Sequence, residues 1–248
     1  IMKVAYMSKV KEDDLELLKE NLDTGIEIVH IPPSNEDELI EKAEELEALI
    51  GARVPREFLE KARNLEYFII PFAGIPSQDK ETLPDYPGLT VINSHFNAPF
   101  VAEHAWTLLL ASAKKIIPIH GKLKEGDWTP RYEHEWGRSL KDKNLLILGY
   151  GEIGKIVGRI GKTFDMTVKA VKRDKEKSEV IDYIGTNDEL PELLKEADFI
   201  ICTLPLTPDT RSYIDSNEFE MMKDGVHIVN VGRGPVIDED AFYKALKS

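Results

Sequence analysis

The order of hydrophobic and polar residues predicts alternating strands and helices in the first hundred residues. Short apolar runs, each long enough for one buried strand, are separated by segments with apolar residues at helical spacing. One helix is expected to begin after Ser34, with Asp37 completing a capping box. Strands that alternate with helices form a parallel sheet covered on both faces. The predicted strands are Val4–Met7, Ile26–Ile31, Ala48–Gly51, Tyr67–Pro71 and Leu89–Asn93, and the other predicted helices are Asp13–Leu22 and Pro55–Ala62.

A different pattern follows over Asn97–Lys115, where apolar residues leave little polar face on the predicted helix. We expect this helix to be buried nearly all round, between domains or in a subunit interface. The polar arm Lys122–Arg138 comes next and contains Trp128, Tyr132 and Trp136. Aromatic side chains in such an arm are equally compatible with contact to a partner and with packing onto the arm's own domain.

The stretch Leu148–Gly154, LGYGEIG, joins an apolar strand to a helix of regular apolar spacing. A dinucleotide site needs this arrangement, because the first glycine permits the tight turn, the second lets a pyrophosphate approach, and the third lets the helix pack on the strand. The helix then offers unpaired N–H groups and its positive dipole end to the phosphates. The predicted cofactor residues here are Gly149, Gly151, Glu152, Ile153 and Gly154.

Further strands and helices after this turn predict a second α/β unit. The strands are expected at Val168–Val171, Phe199–Leu204 and Val226–Val231, with a helix around Leu190–Glu196. Asp238 is placed to cap a last helix.

Composition narrows the classes of function. The hydrophobic fraction of 42% and charged fraction of 31% are those of an ordinary globular protein. The formal charge of −13 argues against nucleic acid or an anionic membrane as partner. No eighteen-residue apolar run or signal-peptide layout occurs, so the cytoplasm is the expected location. The single cysteine, Cys202, gives neither an internal disulfide nor a metal cluster, and we expect no metal site.

Several segments together closely resemble the D-2-hydroxyacid dehydrogenase family, which includes glyoxylate/hydroxypyruvate reductases and D-lactate and phosphoglycerate dehydrogenases. Besides LGYGEIG, they are Asn93–Ala111, GDW at Gly126–Trp128, LPLTPDTRSYID at Leu204–Asp215 and HIVNVGRGPVIDEDAF at His227–Phe242. The resemblance implies an α/β fold, in which a Rossmann-type doubly wound parallel sheet domain, 97–248, joins a smaller flavodoxin-like α/β substrate domain, 1–96, across a cleft. It also implies an NAD(P)-dependent oxidoreductase acting on a small D-2-hydroxy or 2-oxo acid, and a homodimer.

The same resemblance implies roles for individual residues. Arg233 matches the arginine that holds the substrate carboxylate and carbonyl oxygen, and a guanidinium is suited to both tasks. The loop Phe72–Ile75 matches the one whose backbone holds the carboxylate, although Pro76 stands where the family usually has a second glycine. Thr210 and Arg211 are expected to open a short helix. The implied substrate contacts are Ala73, Gly74 and Asn97, and the further implied cofactor contacts are Leu204, Pro205, Thr210, Val231 and Gly232.

The acid–base glutamate and histidine of the family follow the arginine, beyond residue 248. We therefore expect very low turnover from the 248-residue chain alone. A non-catalytic NAD(P)-binding sensor, similar to the family's corepressor relatives, is the alternative function. Within the chain, His104 is expected to be a packed core residue, and His95 is closer to the expected cleft.

Cofactor choice depends on the end of the second strand of the dinucleotide domain, where a carboxylate selects NAD. Alignment with the family places Lys172 at that position and Arg173 beside it, and two cations there favour the 2′-phosphate of NADP. Asp174, twenty residues after Gly154, is the rival that would favour NAD, and a solvated surface pair of cations is the third possibility. We predict NADP, with NAD as the alternative.

Overall fold

The computed structural model of the protein describes residues 1–132 and 137–247. The chain divides into two compact units, Ile1–Asn97 and Ala98–Ser248. Each unit contains one five-stranded parallel sheet. The alternation of strand and helix expected from the sequence is therefore confirmed in both halves.

The first unit has the strand order of a flavodoxin-like sheet, β2-β1-β3-β4-β5. Its large buried side chains, among them Leu39, Leu49, Phe58 and Phe68, come from both the strands and the helices. The strands are β1 Met2–Tyr6, β2 Ile26–His30, β3 Ala48–Ile50, β4 Tyr67–Ile70 and β5 Thr90–Asn93. The helices are α1 Glu12–Glu20, α2 Glu36–Glu41, α3 Arg56–Lys61 and α4 Ser77–Thr82.

The start of α2 differs from the expectation. Asn35, not Ser34, occupies the N-cap position, and its side chain makes no capping hydrogen bond. Its amide instead donates to the Glu38 carboxylate at 2.6 Å. The capping box predicted from Ser34 and Asp37 is therefore wrong.

The second unit has the order β10-β9-β6-β7-β8, which corresponds to the 3-2-1-4-5 order of a Rossmann sheet. The strands are β6 Asn144–Leu148, β7 Thr167–Val171, β8 Tyr183–Gly185, β9 Phe199–Cys202 and β10 His227–Asn230. The helices are α5 Ala98–Ala113, α6 Ile116–Lys124, α7 Glu152–Thr163, α8 Leu190–Glu196, α9 Ser216–Met221 and α10 Glu239–Ala245. Helices α4, α6 and α9 and strand β8 were not expected from the sequence.

Helix α7 lies very close to the sheet because glycines form its inner face. A Cβ at Gly158 would be 2.7 Å from Ile181 Cγ2, and one at Gly161 would be 3.0 Å from Leu145 Cδ2. Trp106 of α5 donates its indole N–H to the Val157 carbonyl at 3.2 Å, which ties α5 to this helix. The close approach fixes where the start of α7 lies relative to the strand ends.

Helix α5 is not buried all round within its unit. Ala102, Ala105 and Leu109 are fully buried on one face, whereas Phe100 and Leu108 are 64% and 41% exposed on the other. Within the single chain the helix is therefore covered on one face, and burial of the opposite face between domains or in a subunit interface stays a prediction. Among the described residues, no helix is long and apolar enough to cross a membrane.

Candidate active site

The glycine turn after β6 has the geometry that its sequence predicts. Gly149 has φ +93°, and a Cβ there would lie 3.1 Å from Thr203 Oγ1. A Cβ at Gly154 would lie only 2.3 Å from the Gly149 carbonyl oxygen, so the start of α7 requires glycine at this position. A Cβ at Gly151 would meet no atom within 4 Å, which leaves open space beside the backbone there.

The start of α7 also presents unused donors. Its first turn is open, because the earliest hydrogen bond into the helix runs from the Lys155 N–H to the Gly151 carbonyl at 2.9 Å. The N–H groups of Gly151, Glu152 and Ile153 donate to no acceptor in the described residues. Open space beside Gly151 together with free N–H groups fits a pyrophosphate at this helix end.

The turns that follow β9 and β10 lie against each other. A Cβ at Gly232 would be 2.4 Å from the Leu204 carbonyl oxygen. Thr203, the residue before, donates its hydroxyl to the Gly149 carbonyl at 2.8 Å. Three successive turns are thus packed backbone to backbone at the carboxyl ends of β6, β9 and β10, where ligands of doubly wound sheets bind.

Arg233 is exposed at the end of this arrangement. Its guanidinium bonds only to the neighbouring Gly232 carbonyl, at 2.9 Å, and forms no ion pair with a described residue. Asn230 shapes the turn, because its Oδ1 accepts from the Gly232 N–H at 3.0 Å and its amide donates to the Arg233 carbonyl at 3.1 Å. A guanidinium without an anionic partner is suited to a carboxylate ligand.

The loop from Leu204 to Arg211 departs from the expectation. Strand β9 ends at Cys202, before Leu204 and the exposed Pro205. Thr210 closes a 3₁₀ turn over Pro208–Thr210, and the next helix begins only at Ser216. Thr210 and Arg211 therefore do not open a helix. The Thr210 hydroxyl donates to the Pro205 carbonyl at 2.6 Å, which shapes the loop that carries Leu204 and Pro205.

In the first unit, the loop after β4 has two free donors. Its side chains Phe72 and Ile75 pack on the core, and the Asn93 amide donates to the Ala73 carbonyl at 2.9 Å. The N–H groups of Ala73 and Gly74 donate to no described residue. Backbone donors of this kind can bind a carboxylate, although Pro76 can supply no N–H of its own.

Asn97 and the histidines complete the predicted set. Asn97 is half-buried directly before α5. His104 is exposed, which contradicts its assignment to the core, because it lies on the solvent face of α5. His95 is also exposed and lies 3.3 Å from the Asn93 amide. His134 and Trp136 lie outside the described residues.

The segment after β7 carries both candidate selectors of the cofactor. The Lys172 N–H donates to the Gly185 carbonyl at 3.0 Å, and its ammonium forms an ion pair with Glu176 at 2.5 Å. Arg173 and Asp174 are exposed, and neither forms an ion pair with a described residue. Of the two cations expected from the sequence, Lys172 is therefore already paired with a carboxylate.

Cys202 takes no part in this chemistry. It is fully buried in β9, and burial raises the pKa of its thiol to about 11. The expectation of a small core residue is confirmed. No group of three or more potential metal ligands occurs among the residues that the structure describes.

Comparison with known proteins agrees with this geometry. The sequence model of the "D-isomer specific 2-hydroxyacid dehydrogenase, NAD binding domain" family matches residues 106–248, more than half of the chain. The chain belongs to the D-isomer specific 2-hydroxyacid dehydrogenase family. The family expected from the motifs is thereby confirmed, and so is a nicotinamide cofactor for its second unit.

Three relatives illustrate the similarity. The D-3-phosphoglycerate dehydrogenase of Methanocaldococcus jannaschii is 33% identical over 100% of this chain, which spans only 47% of that protein. The hydroxypyruvate reductase of Thermotoga maritima is 32% identical over 99% of this chain and 76% of its own length. An acyclic imino acid reductase, solved in complex with NADPH and D-Arg, is 26% identical with a TM-score of 0.78, covering 99% of this chain and 79% of that one.

The residues that sequence analysis missed are those that shape the turns. Thr203, Asn230 and Asn93 each bond to the backbone of a predicted site residue. Their signal in the sequence is position, since each stands at or just after the carboxyl end of a strand. Asn230 also precedes a glycine by two residues, which is the spacing of an Asx turn.

Proposed function

We propose that the protein is an NADP-dependent oxidoreductase that transfers a hydride between the nicotinamide and a small D-2-hydroxy or 2-oxo acid. The observation that carries this proposal is Arg233, an exposed guanidinium without an ion-pair partner among the described residues, held in a turn that packs on the Leu204 turn, which in turn contacts the dinucleotide turn. A pure cofactor sensor has no need of such a group. The sensor function is therefore the weaker candidate.

Each proposed site residue has its own role in the reaction. The bound nicotinamide would supply the hydride that reaches the carbonyl carbon of the oxo acid. Arg233 would pair with the substrate carboxylate and stabilise the charge that develops on the carbonyl oxygen. Ala73, Gly74 and Asn97 stay predicted substrate contacts, and the free N–H groups of Ala73 and Gly74 are of a kind that can bind a carboxylate.

The dinucleotide contacts follow from the turns of the second unit. The pyrophosphate would accept from the N–H groups of Gly151, Glu152 and Ile153, beside the close contact between Gly149 and Gly154. The turns at Leu204–Pro205 and Val231–Gly232 would border the nicotinamide ribose. Thr210 would act indirectly, through its hydrogen bond to the Pro205 carbonyl.

The preference for NADP rests on Arg173. It follows β7 by two residues and has no carboxylate partner among the described residues, so it can pair with a 2′-phosphate. Lys172 can join it once Glu176 is displaced. The imino acid reductase relative, whose complex contains NADPH, agrees with this choice. Asp174 is the competing selector for NAD.

Binding experiments test the preference for NADP, and turnover experiments test the role of Arg233. Tryptophan fluorescence titrated with NADPH and NADH is expected to give the lower Kd for NADPH, and Arg173→Ala should raise that Kd about tenfold or more. Tighter NADH binding that is lost in Asp174→Ala would transfer the role to Asp174. Reduction of glyoxylate, pyruvate and hydroxypyruvate by the full-length protein should fail in Arg233→Ala and persist in Arg159→Ala, with cofactor affinity unchanged in both.

The proposed assembly is a homodimer built on α5, α6 and the arm that follows. Ile117, Trp128 and Tyr132 are 73%, 63% and 74% exposed, and they lie along this part of the chain with Phe100 of α5. Apolar surface of this kind marks interaction sites. Light scattering should report a dimer for the wild type and for Leu17→Asp on α1, and a monomer for Ile117→Asp. A wild type that remains monomeric at high concentration would contradict the dimer.

A further inference from the structure

The segment that follows β7 is fixed at three points. Its first residue, Lys172, extends the β7–β8 ladder through the hydrogen bond to Gly185. Lys175 donates to the Tyr183 hydroxyl at 3.0 Å, and Ser178 lies 3.2 Å from the hydroxyl of Tyr150 in the glycine turn. The segment is therefore attached to the neighbouring strand, to the residues after it, and to the pyrophosphate turn.

The second attachment, made through Lys175, is built around the carboxylate of Glu189. Its carboxylate accepts from the Tyr183 hydroxyl, from the Thr186 N–H at 3.0 Å and from Lys175 at 3.2 Å. These hydrogen bonds lower the pKa of Glu189 to about 2, and the hydrogen bonds to Tyr183 and Glu189 raise the pKa of Lys175. Both groups are charged at neutral pH, and Lys175 is already committed within the protein.

Arg173 and Asp174 form a bend between the first two attachments. Their charges are opposite, so they have opposite effects on a 2′-phosphate. A small change in the conformation of the bend can therefore exchange one selector for the other. Whatever fixes the bend also determines the preference for a cofactor.

We propose that Tyr183 and Glu189 are positioning residues for cofactor selection, which hold the bend through Lys175 so that Arg173 rather than Asp174 meets the 2′-phosphate. In this role Lys175 does not bind the phosphate. Its hydrogen bonds to Tyr183 and Glu189, called the tie below, hold the bend in place. This inference rests on the proposed NADP preference. Without the tie, only part of the population has Arg173 in place, and the apparent affinity for NADPH falls in proportion.

Glu189→Gln separates this role from simple electrostatics because the two predict opposite signs. Removing a carboxylate near a bound phosphate should tighten NADPH binding if only charge matters. Loss of the tie should weaken NADPH binding by roughly three- to tenfold without weakening NADH binding. Tyr183→Phe changes no charge and removes the hydrogen bonds of the hydroxyl, so it should shift the ratio of the two Kd values in the same direction.

Lys177 supplies the matched control for Lys175. It is an exposed cation two residues further on, with no ion pair to a described residue. If Lys175 acted only by its charge, Lys175→Met and Lys177→Met would weaken NADPH binding equally. We expect the larger loss in Lys175→Met, and recovery in Lys175→Arg, which can keep the contacts to Tyr183 and Glu189.

The measurement is the pair of Kd values for NADPH and NADH, obtained by fluorescence titration on one preparation of each variant. A partly unfolded variant lowers the active fraction equally for both cofactors, so the ratio still reports selection. Tighter NADPH binding in Glu189→Gln, or an unchanged ratio in Tyr183→Phe, would overturn this inference. If Arg173→Ala meanwhile weakens NADPH binding in the otherwise native protein, the proposed cofactor preference survives and only the positioning role is lost.

Discussion

Gly232 lies so close to Leu204 that a Cβ atom at position 232 would be 2.4 Å from the Leu204 carbonyl oxygen. This contact joins the turn that carries Arg233 to the turn proposed to border the nicotinamide ribose. Because the neighbour is backbone rather than a flexible side chain, it cannot move away alone. Any residue larger than glycine must displace one turn relative to the other.

Gly232→Ala should therefore damage stability and cofactor binding together. Forcing a methyl group into a packed site costs typically about 1–3 kcal/mol. Urea unfolding of Gly232→Ala should show a loss of this size, and NADPH titration should show weaker binding. Gly121→Ala is the control, since a Cβ there meets no atom within 4 Å and alanine favours the helix α6. Equal stability of the two variants would contradict the close contact.

Alanine substitutions at Gly151 and Gly154 are expected to differ in their effect on stability, although both lie at the proposed cofactor site. Gly151→Ala should change the free energy of unfolding by less than about 0.5 kcal/mol, because the space beside it is open. It should weaken cofactor binding, since the methyl group occupies that space. Gly154→Ala should lose about 1–3 kcal/mol of stability as well, because of its 2.3 Å approach to the Gly149 carbonyl. A Gly151→Ala variant that binds NADPH normally would place the pyrophosphate elsewhere.

The sequence predicted the elements whose pattern is strong and local. Leu190–Glu196 was expected as a helix and is α8, and Asp238 caps α10 by accepting from the Ala241 N–H at 2.8 Å. Strand β8 was missed because it has only three residues and ends in a glycine, whereas the equally short β3 consists of apolar residues alone. The sequence could not say which face of α5 packs on its own unit, because the apolar side chains of a core and of an interface give the same pattern.

In the candidate site, the sequence located the residues but not their partners. The glycine positions were predictable because each serves a backbone requirement that no other residue meets. The pairing of Lys172 with Glu176 was not, since a salt bridge depends on side-chain conformations that the order of residues leaves open. The role of Thr203 was equally hidden, because its contact with Gly149 joins turns 54 residues apart.

Glu176→Gln should tighten NADPH binding. The substitution releases the Lys172 ammonium, which in the folded chain lies 2.5 Å from the Glu176 carboxylate. Both side chains are partly exposed, and such pairs contribute about 0.2–1 kcal/mol, so the Kd should fall by at most roughly fivefold. NADH binding should not change. Glu192→Gln, which breaks the comparable pair with Lys195 on α8, is the control and should alter neither Kd. Weaker NADPH binding in Glu176→Gln would exclude Lys172 from the phosphate site.

The low pKa of Glu189 predicts a defined dependence of stability on pH. Hydrogen bonds from Tyr183, the Thr186 N–H and Lys175 lower this pKa from 4.5 to about 2 in the folded protein. The unfolded chain therefore takes up a proton first, so the stabilisation is complete above pH 4.5 and is lost as the pH falls toward 2. The difference in urea midpoint between wild type and Glu189→Gln should be constant from pH 6 to 8 and shrink below pH 4.5. A difference that stays the same down to pH 3 would show that the Glu189 charge contributes nothing, and that only the shape of its side chain matters.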